Sequence, residues 1–173
     1  VGRVYEVKNQ LFIAEIAEEF KKRNKKTRIL CAGKGNQEYM SQVQEIIKNK
    51  ELHEHMKMLG VRKDISTLLR KSKAFILPSL YEGMPLVLIE AQASGIHCVS
   101  ADTFSKEVDF GIDSIDWLSL QAGAEKWANA IETAIEKGRK EKAVVVNAIE
   151  EKGFDSRIFT KKLCELYVQN VRK

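Results

Sequence analysis

The stretch over residues 74–100, AFILPSLYEGMPLVLIEAQASGIHCVS, limits the fold of this chain more than any other. It opens with Ala74, Phe75, Ile76 and Leu77, an apolar run with the length and flanks of a buried strand. Pro78, Ser79 and Gly83 break that run. Pro85 suits a first helical position, and the helix-forming residues behind it stop at Gly95. Residues 96–100 then read as a second strand. Strand, crossover helix, strand is the unit of a parallel sheet, whose ligands lie beyond the carboxyl ends of its strands. Here that end is the loop over 79–84, and the chain's only two prolines bracket it.

Two carboxylates sit in this stretch, Glu82 in the loop and Glu90 on the helix. Leu86, Val87, Leu88, Ile89, Ala91 and Ala93 surround Glu90 with apolar side chains, and a helix without a polar face is expected to be buried. An ionised carboxylate in such a place costs several kcal/mol unless donors meet it. The sequence therefore predicts a partner for Glu90. A ligand's hydroxyl pair, a backbone N–H and a cation from a neighbouring element all fit, and spacing leaves the three open.

The rest of the chain repeats the alternation. Gly2 and Arg3 read as the end of a strand whose beginning is missing, followed by a loop over 4–8 that carries a second cation, Lys8. Asn9 is placed to cap a helix running to residue 22, with Leu11, Phe12, Ile13, Ile16, Ala17 and Phe20 as its apolar stripe. Residues 21–28 are a basic helix end and turn. A strand over 29–32 leads into Gly33-Lys34-Gly35-Asn36 and a helix over 37–48, which sets backbone N–H groups at a helix start where anions bind. Alone, a Gly-Lys-Gly turn is a weak signal, neither a Walker loop nor a full dinucleotide fingerprint. A strand over 56–59 ends at Gly60, Val61-Arg62-Lys63 form the next loop, and Asp64 is expected to cap a helix over 65–71. Residues 104–111 read as irregular, 115–120 as the last strand, and 122–137, 141–152 and 156–172 as helices. The expected class is α/β, a Rossmann-like, doubly wound parallel sheet with helices on both faces. In such a sheet the loops after the strands share one edge, so the cations, glycines and carboxylates converge there.

At 173 residues, with 44% apolar and 31% charged residues, the chain suits one soluble domain with a proper core. Its longest apolar runs have strand length, so no transmembrane or signal segment is read from it. Cys31, Cys98 and Cys164 are odd in number and far apart, which points to reduced core thiols in a cytoplasmic protein. The start at Val1, without methionine, suggests a piece of something longer. The net charge of +5 resides entirely in the tail: from Lys137 onward ten Lys and Arg face five Asp and Glu, and the preceding part is neutral. A basic helical tail is either a solvated face or a peripheral contact with an anionic membrane. Nucleic acid is not an expected partner, because no aromatics interleave the charges.

Taken together, Gly2-Arg3 with Lys8, Gly33-x-Gly35, Leu59-Gly60-Val61-x-x-Asp64-Ile65, and Pro78-Ser79-x-x-Glu82-Gly83-x-Pro85-x-x-x-x-Glu90-Ala91-x-Ala93-x-Gly95 resemble the C-terminal, donor-binding domain of glycosyltransferase family 4. These are retaining enzymes of the GT-B fold, and the wording is closest to members that build capsular or extracellular polysaccharide. The resemblance covers nearly all of the chain, and the paired-glutamate stretch is its specific part. It implies a single donor domain over 1–173 whose acceptor-binding N-terminal domain is absent, with the C-terminal helix over 155–173 packing toward it. It implies that Arg3 and Lys8 clamp the diphosphate of a nucleotide sugar, that Glu82 stands near the transferred sugar, and that Glu90 holds the ribose hydroxyls. Gly83, Met84, Pro85 and Leu86 then form the turn where a helix start meets sugar and phosphate. Gly33, Gly35 and the loop of Val61 and Arg62 face the nucleotide, Val61's main chain meeting the base. No cofactor or metal is implied. The donor would be uridine-linked, the acceptor a growing glycan or lipid-linked sugar, and the isolated domain close to inactive.

Two positions depart from the pattern. His97 stands where the family commonly has proline, and reads as a strand residue with a satisfied ring. Asn9 replaces a frequent glycine. Rival readings are a glycoside hydrolase, for which a basic pair and phosphate-type turns have no use; a related sugar-nucleotide epimerase; and a non-catalytic nucleotide-binding module. A metal site is not expected, because there is no Asp-x-Asp and His53-Glu54-His55 would point its imidazoles to opposite sides of a helix.

Overall fold

The computed structural model describes residues 1–171. Five parallel strands form two sheets. Strand β1 (Ile29–Ala32) pairs with β2 (Met56–Gly60), while β3 (Ala74–Leu77), β4 (His97–Ala101) and β5 (Ile115–Leu118) pair in that order. Helices α1 (Gln10–Lys22), α2 (Gln37–Asn49), α3 (Ile65–Lys71), α4 (Leu86–Ala93), α5 (Gly123–Lys137), α6 (Lys142–Glu151) and α7 (Ser156–Val171) connect and follow them. The expected doubly wound α/β class is what the chain adopts.

Two cores explain why the helices take opposite faces. On one face α1 and α5 pack through Ile16, Phe20, Trp127 and Ile131, and α2 adds Val43 and Ile47 against Ile29, Cys31, Val99 and Ala101 of the strands. Phe12 meets Trp127 edge-on at 5.6 Å. On the other face, Leu69 of α3 and Leu88 and Ala91 of α4 bury Phe75, Leu77, Cys98 and Ile115. Neighbouring residues along a strand thus face different cores, as a pleated sheet with helices on both sides requires.

The first residues run beside β1. Gly2 N–H donates to Ala32 O at 2.9 Å, Val4 N–H donates to Lys34 O at 3.1 Å, and Val4 bridges Gly35 in parallel. This segment explains the glycine pair. A Cβ on Gly33 would lie 1.7 Å from Gly2 O, and one on Gly35 would lie 2.0 Å from Val4 O, so only glycine lets the chain pass. Asn9 sits at φ 56°, a left-handed backbone that glycine adopts freely and asparagine tolerates. It precedes α1 but gives no side-chain cap.

Two polar clusters, one buried and one at the surface, tie the lower parts together. Gln92 is fully buried on α4. Its amide donates to Val108 O at 2.7 Å and accepts from Phe110 N–H at 3.0 Å and from Ser114 Oγ at 3.2 Å, pinning the segment between β4 and β5 to the helix. The Arg139 guanidinium donates to the carbonyls of Ser94, Leu69, Arg70 and Ser72 at 2.6–2.8 Å, adding donors at the ends of α3 and α4.

Several expectations need correction. The 4–8 segment contains a 3-10 turn, Glu6–Lys8, and 104–111 contains another, Lys106–Val108. The last strand stops at Leu118, where Ser119 caps a 3-10 turn through Gln121 N–H. His53, Glu54 and His55 lie in a turn rather than a helix. Cys31 and Cys98 are buried, with burial pushing the Cys31 thiol up to about 11, but Cys164 is exposed on α7. The end of the expected last helix at Arg172 lies outside the described residues. No described helix is long and apolar enough to cross a membrane.

Candidate functional site

Every loop that the sequence singled out for chemistry meets at the carboxyl edge of the strands. Gly33 N–H donates to Gly60 O at 2.8 Å, joining the loops after β1 and β2. Leu80 N–H donates to Val7 O at 2.8 Å, joining the loop after β3 to the 3-10 turn that carries Lys8. Thr103 Oγ1 donates to Ser79 O at 2.8 Å, which brings in the residues after β4.

At the centre of this edge lies an ion pair between residues 74 positions apart: the Lys8 ammonium bonds Glu82 Oε1. Both side chains are largely covered, 22% and 11% exposed. Ser79 Oγ donates to the same carboxylate oxygen at 2.6 Å. Arg3 is exposed, with its guanidinium 5.6 Å from the Tyr5 ring centroid and its carbonyl accepting from Gln10 Nε2 at 3.3 Å. No carboxylate pairs with Arg3 among the described residues. A cation without a counter-ion, on the same segment as a part-buried ion pair, is an arrangement suited to an anion.

Gly83 and Met84 are exposed ahead of α4. Pro85 is the residue before the helix rather than its first turn, so α4 starts at Leu86 without a side-chain cap. Met84 O takes the Leu86 N–H at 2.9 Å and Pro85 O takes the Leu88 N–H at 2.8 Å, which leaves the Val87 N–H as the first-turn donor open to an anion. The start of α2 differs, because Asn36 caps it by accepting from Tyr39 N–H at 2.8 Å. Since the Gly33 N–H is already bonded, the glycine turn owes its composition first to the close passage of residues 2–4.

The burial expected of Glu90 is overturned. It is exposed, and no side chain or backbone N–H meets its carboxylate among the described residues. The apolar residues about it do not enclose it, because α4 leaves one face uncovered: Leu86, one turn before Glu90, is 63% exposed. The desolvation argument therefore fails, and Glu90 stands on the open face of the same edge. Val61, Leu80, Tyr81 and Met84 are exposed there as well, an apolar rim of the kind that marks a contact surface. Arg62 forks onto Asp64 with two bonds of 2.8 Å, and its guanidinium holds the carboxyl below the usual carboxylate range. Asp64 is thereby diverted from the capping expected of it. Among the described residues no three His, Cys, Asp or Glu side chains are grouped so as to hold a metal ion.

Sequence reasoning missed Thr103, which carries no local signal, and it quoted Ser79 only as part of a pattern. It also expected a satisfied ring at His97, which is half met: Nε2 pairs with Asp116 Oδ2 at 3.0 Å, but Nδ1 is buried without a partner.

The family model for glycosyl transferases group 1 matches residues 1–151. The chain belongs to that family. Among curated relatives, a putative glycosyltransferase EpsF of Bacillus subtilis is 33% identical over 157 residues, covering 91% of this chain and 40% of the relative. A UDP-Gal:alpha-D-GlcNAc-diphosphoundecaprenol alpha-1,3-galactosyltransferase of Escherichia coli is 36% identical over 100 residues, covering 57% and 26%. A capsular polysaccharide biosynthesis glycosyltransferase CapH of Staphylococcus aureus is 27% identical over 169 residues, covering 97% and 46%. Among solved structures, HepE of Anabaena in complex with UDP superposes with a TM-score of 0.76 at 20% identity, over 97% of this chain and 47% of that one. A glycosyltransferase of Rickettsia africae gives a TM-score of 0.78 at 18% identity, over 99% and 47%. These likenesses place the fold with GT-B glycosyltransferases. The group 1 domain described here spans less than half the length of these relatives.

Proposed function

We propose that this group 1 domain is the donor-binding half of a retaining glycosyltransferase, a hexosyltransferase that takes its sugar from a nucleoside diphosphate, uridine diphosphate in the first instance. The observation that carries the reading is the meeting of Lys8, on the segment that also carries Arg3, with Glu82 ahead of the uncapped start of α4. That combination suits a donor in which a diphosphate adjoins a sugar. The phosphates take Lys8, Arg3 and the α4 N–H groups; the sugar hydroxyls take Glu82.

The chemistry follows from where charge develops. As the sugar–phosphate bond breaks, negative charge accumulates on the departing diphosphate, and cations and dipoles already in place stabilise that charge more than the ground state. Removing one such donor costs about 3 to 4 kcal/mol of barrier in comparable sites. The departing phosphate itself takes the acceptor's proton on the same face, giving retention. Glu90 accepts from the two ribose hydroxyls, which suits an exposed carboxylate on the rim. Gly33, Gly35, Val61 and Arg62 line the nucleotide side, Val61's main chain meeting the base, and Gly83, Met84, Pro85 and Leu86 the sugar–phosphate side. No metal is required by this scheme.

The acceptor is a growing surface polysaccharide or lipid-linked glycan, held by the part of the protein outside this chain. Helix α7 packs toward that part through Phe159, Leu163 and Tyr167, which are exposed on one side of it. The reaction is cytoplasmic, with the basic tail available for peripheral contact with the inner membrane face, and the isolated domain binds donor weakly and turns over little.

The test is titration calorimetry with uridine diphosphate. Binding by the wild type, weakened in Glu90→Ala, supports the reading, and unchanged affinity in Glu90→Ala refutes the ribose role. In the full-length enzyme Glu82→Ala should slow transfer while nucleotide affinity stays nearly constant; equal losses in both would show Glu82 misassigned.

A further inference from the structure

We propose that Ser79, steadied by Thr103, is a positioning residue that holds the Glu82 carboxylate in place when the donor draws Lys8 away from it. The inference rests on the donor-site reading above and concerns how that site survives occupation.

Glu82 lies in the loop between β3 and α4, where no ladder or helix fixes it. A glutamate there has three free torsions, and ordering it for a ligand hydroxyl costs rotamer entropy unless something holds it beforehand. Two donors do so, and both bond one oxygen. Lys8 and Ser79 Oγ converge on Oε1, while Oε2 has no partner among the described residues. The anchored oxygen thus sets the carboxylate plane and the other is left to accept from a sugar hydroxyl.

The two anchors are not equivalent. Lys8 carries its charge on a flexible four-carbon stem, and a diphosphate attracts it more strongly than a single carboxylate does. Once it turns to the phosphate, Ser79 is the protein donor that stays on Glu82. Ser79 is built for this. It has no exposed surface, its hydroxyl contact of 2.6 Å is in the short range of charge-assisted bonds, and its carbonyl is held by Thr103 Oγ1 at 2.8 Å. The next residue, Leu80, is bonded through its N–H to Val7 O, so the peptide that follows the serine is held at both its carbonyl and its N–H.

The experiment measures affinities for uridine diphosphate and for UDP-glucose, UDP-galactose and UDP-N-acetylglucosamine by calorimetry, and reads the gain that the best sugar adds. The variants are Ser79→Ala, Thr103→Val, Thr103→Ser, Glu82→Gln and the Ser79→Ala/Glu82→Gln double. Ser79→Ala should cut the sugar-dependent gain roughly tenfold, the scale of one hydrogen bond to a charge. Thr103→Val should cut it by about threefold and Thr103→Ser restore it, as expected for one neutral hydrogen bond acting through Ser79. In the Glu82→Gln background, Ser79→Ala should cost little more. A serine that only supports the loop would cost as much in both backgrounds, and that additivity overturns the proposal while leaving the donor site standing. So does a wild type that binds uridine diphosphate but gains nothing from any sugar. A wild type that binds none of the four compounds overturns the donor reading and this role with it. If Ser79→Ala does not fold, the Thr103 pair decides, and a Thr103→Val loss that Thr103→Ser does not restore counts against the proposal.

Discussion

Replacing Gly35 by alanine should unseat the segment that brings Arg3 and Lys8 to the site. The added Cβ would stand 2.0 Å from Val4 O, 2.7 Å from its carbonyl carbon and 2.8 Å from its nitrogen. All three are main-chain atoms, so no side chain can swing aside and residues 2–4 must move. The displacement exposes Val4, which is 1% exposed, and removing a buried valine from its core costs about 1.5 to 3 kcal/mol. It also breaks the bonds from Val4 N–H to Lys34 O and from Asn36 N–H to Val4 O, each worth about 1 kcal/mol net. The sum is about 3 to 5 kcal/mol, which for a domain of this size lowers the melting temperature by roughly 10 °C. Thermal denaturation followed by circular dichroism, together with binding of uridine diphosphate, measures both consequences. Gly83→Ala is the control for stability, because a Cβ there meets nothing within 4 Å. Melting of Gly35→Ala within about 3 °C of wild type would refute the close-passage account, and so would a Gly83→Ala variant that loses as much stability as Gly35→Ala.

Gln92→Leu should destabilise the domain by about 3 to 5 kcal/mol in urea unfolding, since it strands Val108 O, Phe110 N–H and the Ser114 hydroxyl inside the core; a loss below about 1 kcal/mol would mean water replaces the amide. Glu90→Ala should leave the melting temperature within about 2 °C of wild type because the side chain is exposed, so a larger fall would show a structural role. Burial holds the His97 imidazole below its ordinary value of 6.5, helped by Lys137 and opposed by Asp116 and Asp113. The unfolded chain therefore binds the proton first, and His97 costs nothing above pH 6.5 but lowers stability as pH falls from there toward the folded value. Urea midpoints of wild type and His97→Gln compared at about pH 7.5 and about pH 5.5 should show a steeper acid loss in wild type; parallel losses would rule the histidine out as a source.

The fold was legible because hydrophobic runs and breakers repeat. Residues 74–77, the loop after them and the stop at Gly95 fall where the pattern puts them, and each later α/β step copies that grammar. Terminal residues were harder to read. Asn9 and Asp64 have capping chemistry, but one is spent on a left-handed backbone and the other on Arg62, choices made by neighbours rather than by propensity. Glu90 misled for a related reason. An apolar helix predicts burial only where every face has something to pack against, and α4 lies at an edge that this chain leaves open. The meeting of Lys8 and Glu82 followed from topology once their loops were placed after parallel strands. Thr103 and Gln92 were invisible, because a side chain that satisfies distant main-chain groups has no periodicity to betray it.

Arg139 shows how a residue far from the candidate site can govern it. Helix α4 is about two turns long, a stiff peg whose head follows the loop of Glu82 and whose tail ends at Ser94. One guanidinium grips that tail and the end of α3 together. A lysine has too few donors to grip four carbonyls, so the peg would be free to tilt and carry the loop of Glu82 with it. A change at the foot of the sheet can therefore reach the candidate site through the body of one short helix, from a side chain that lies away from it.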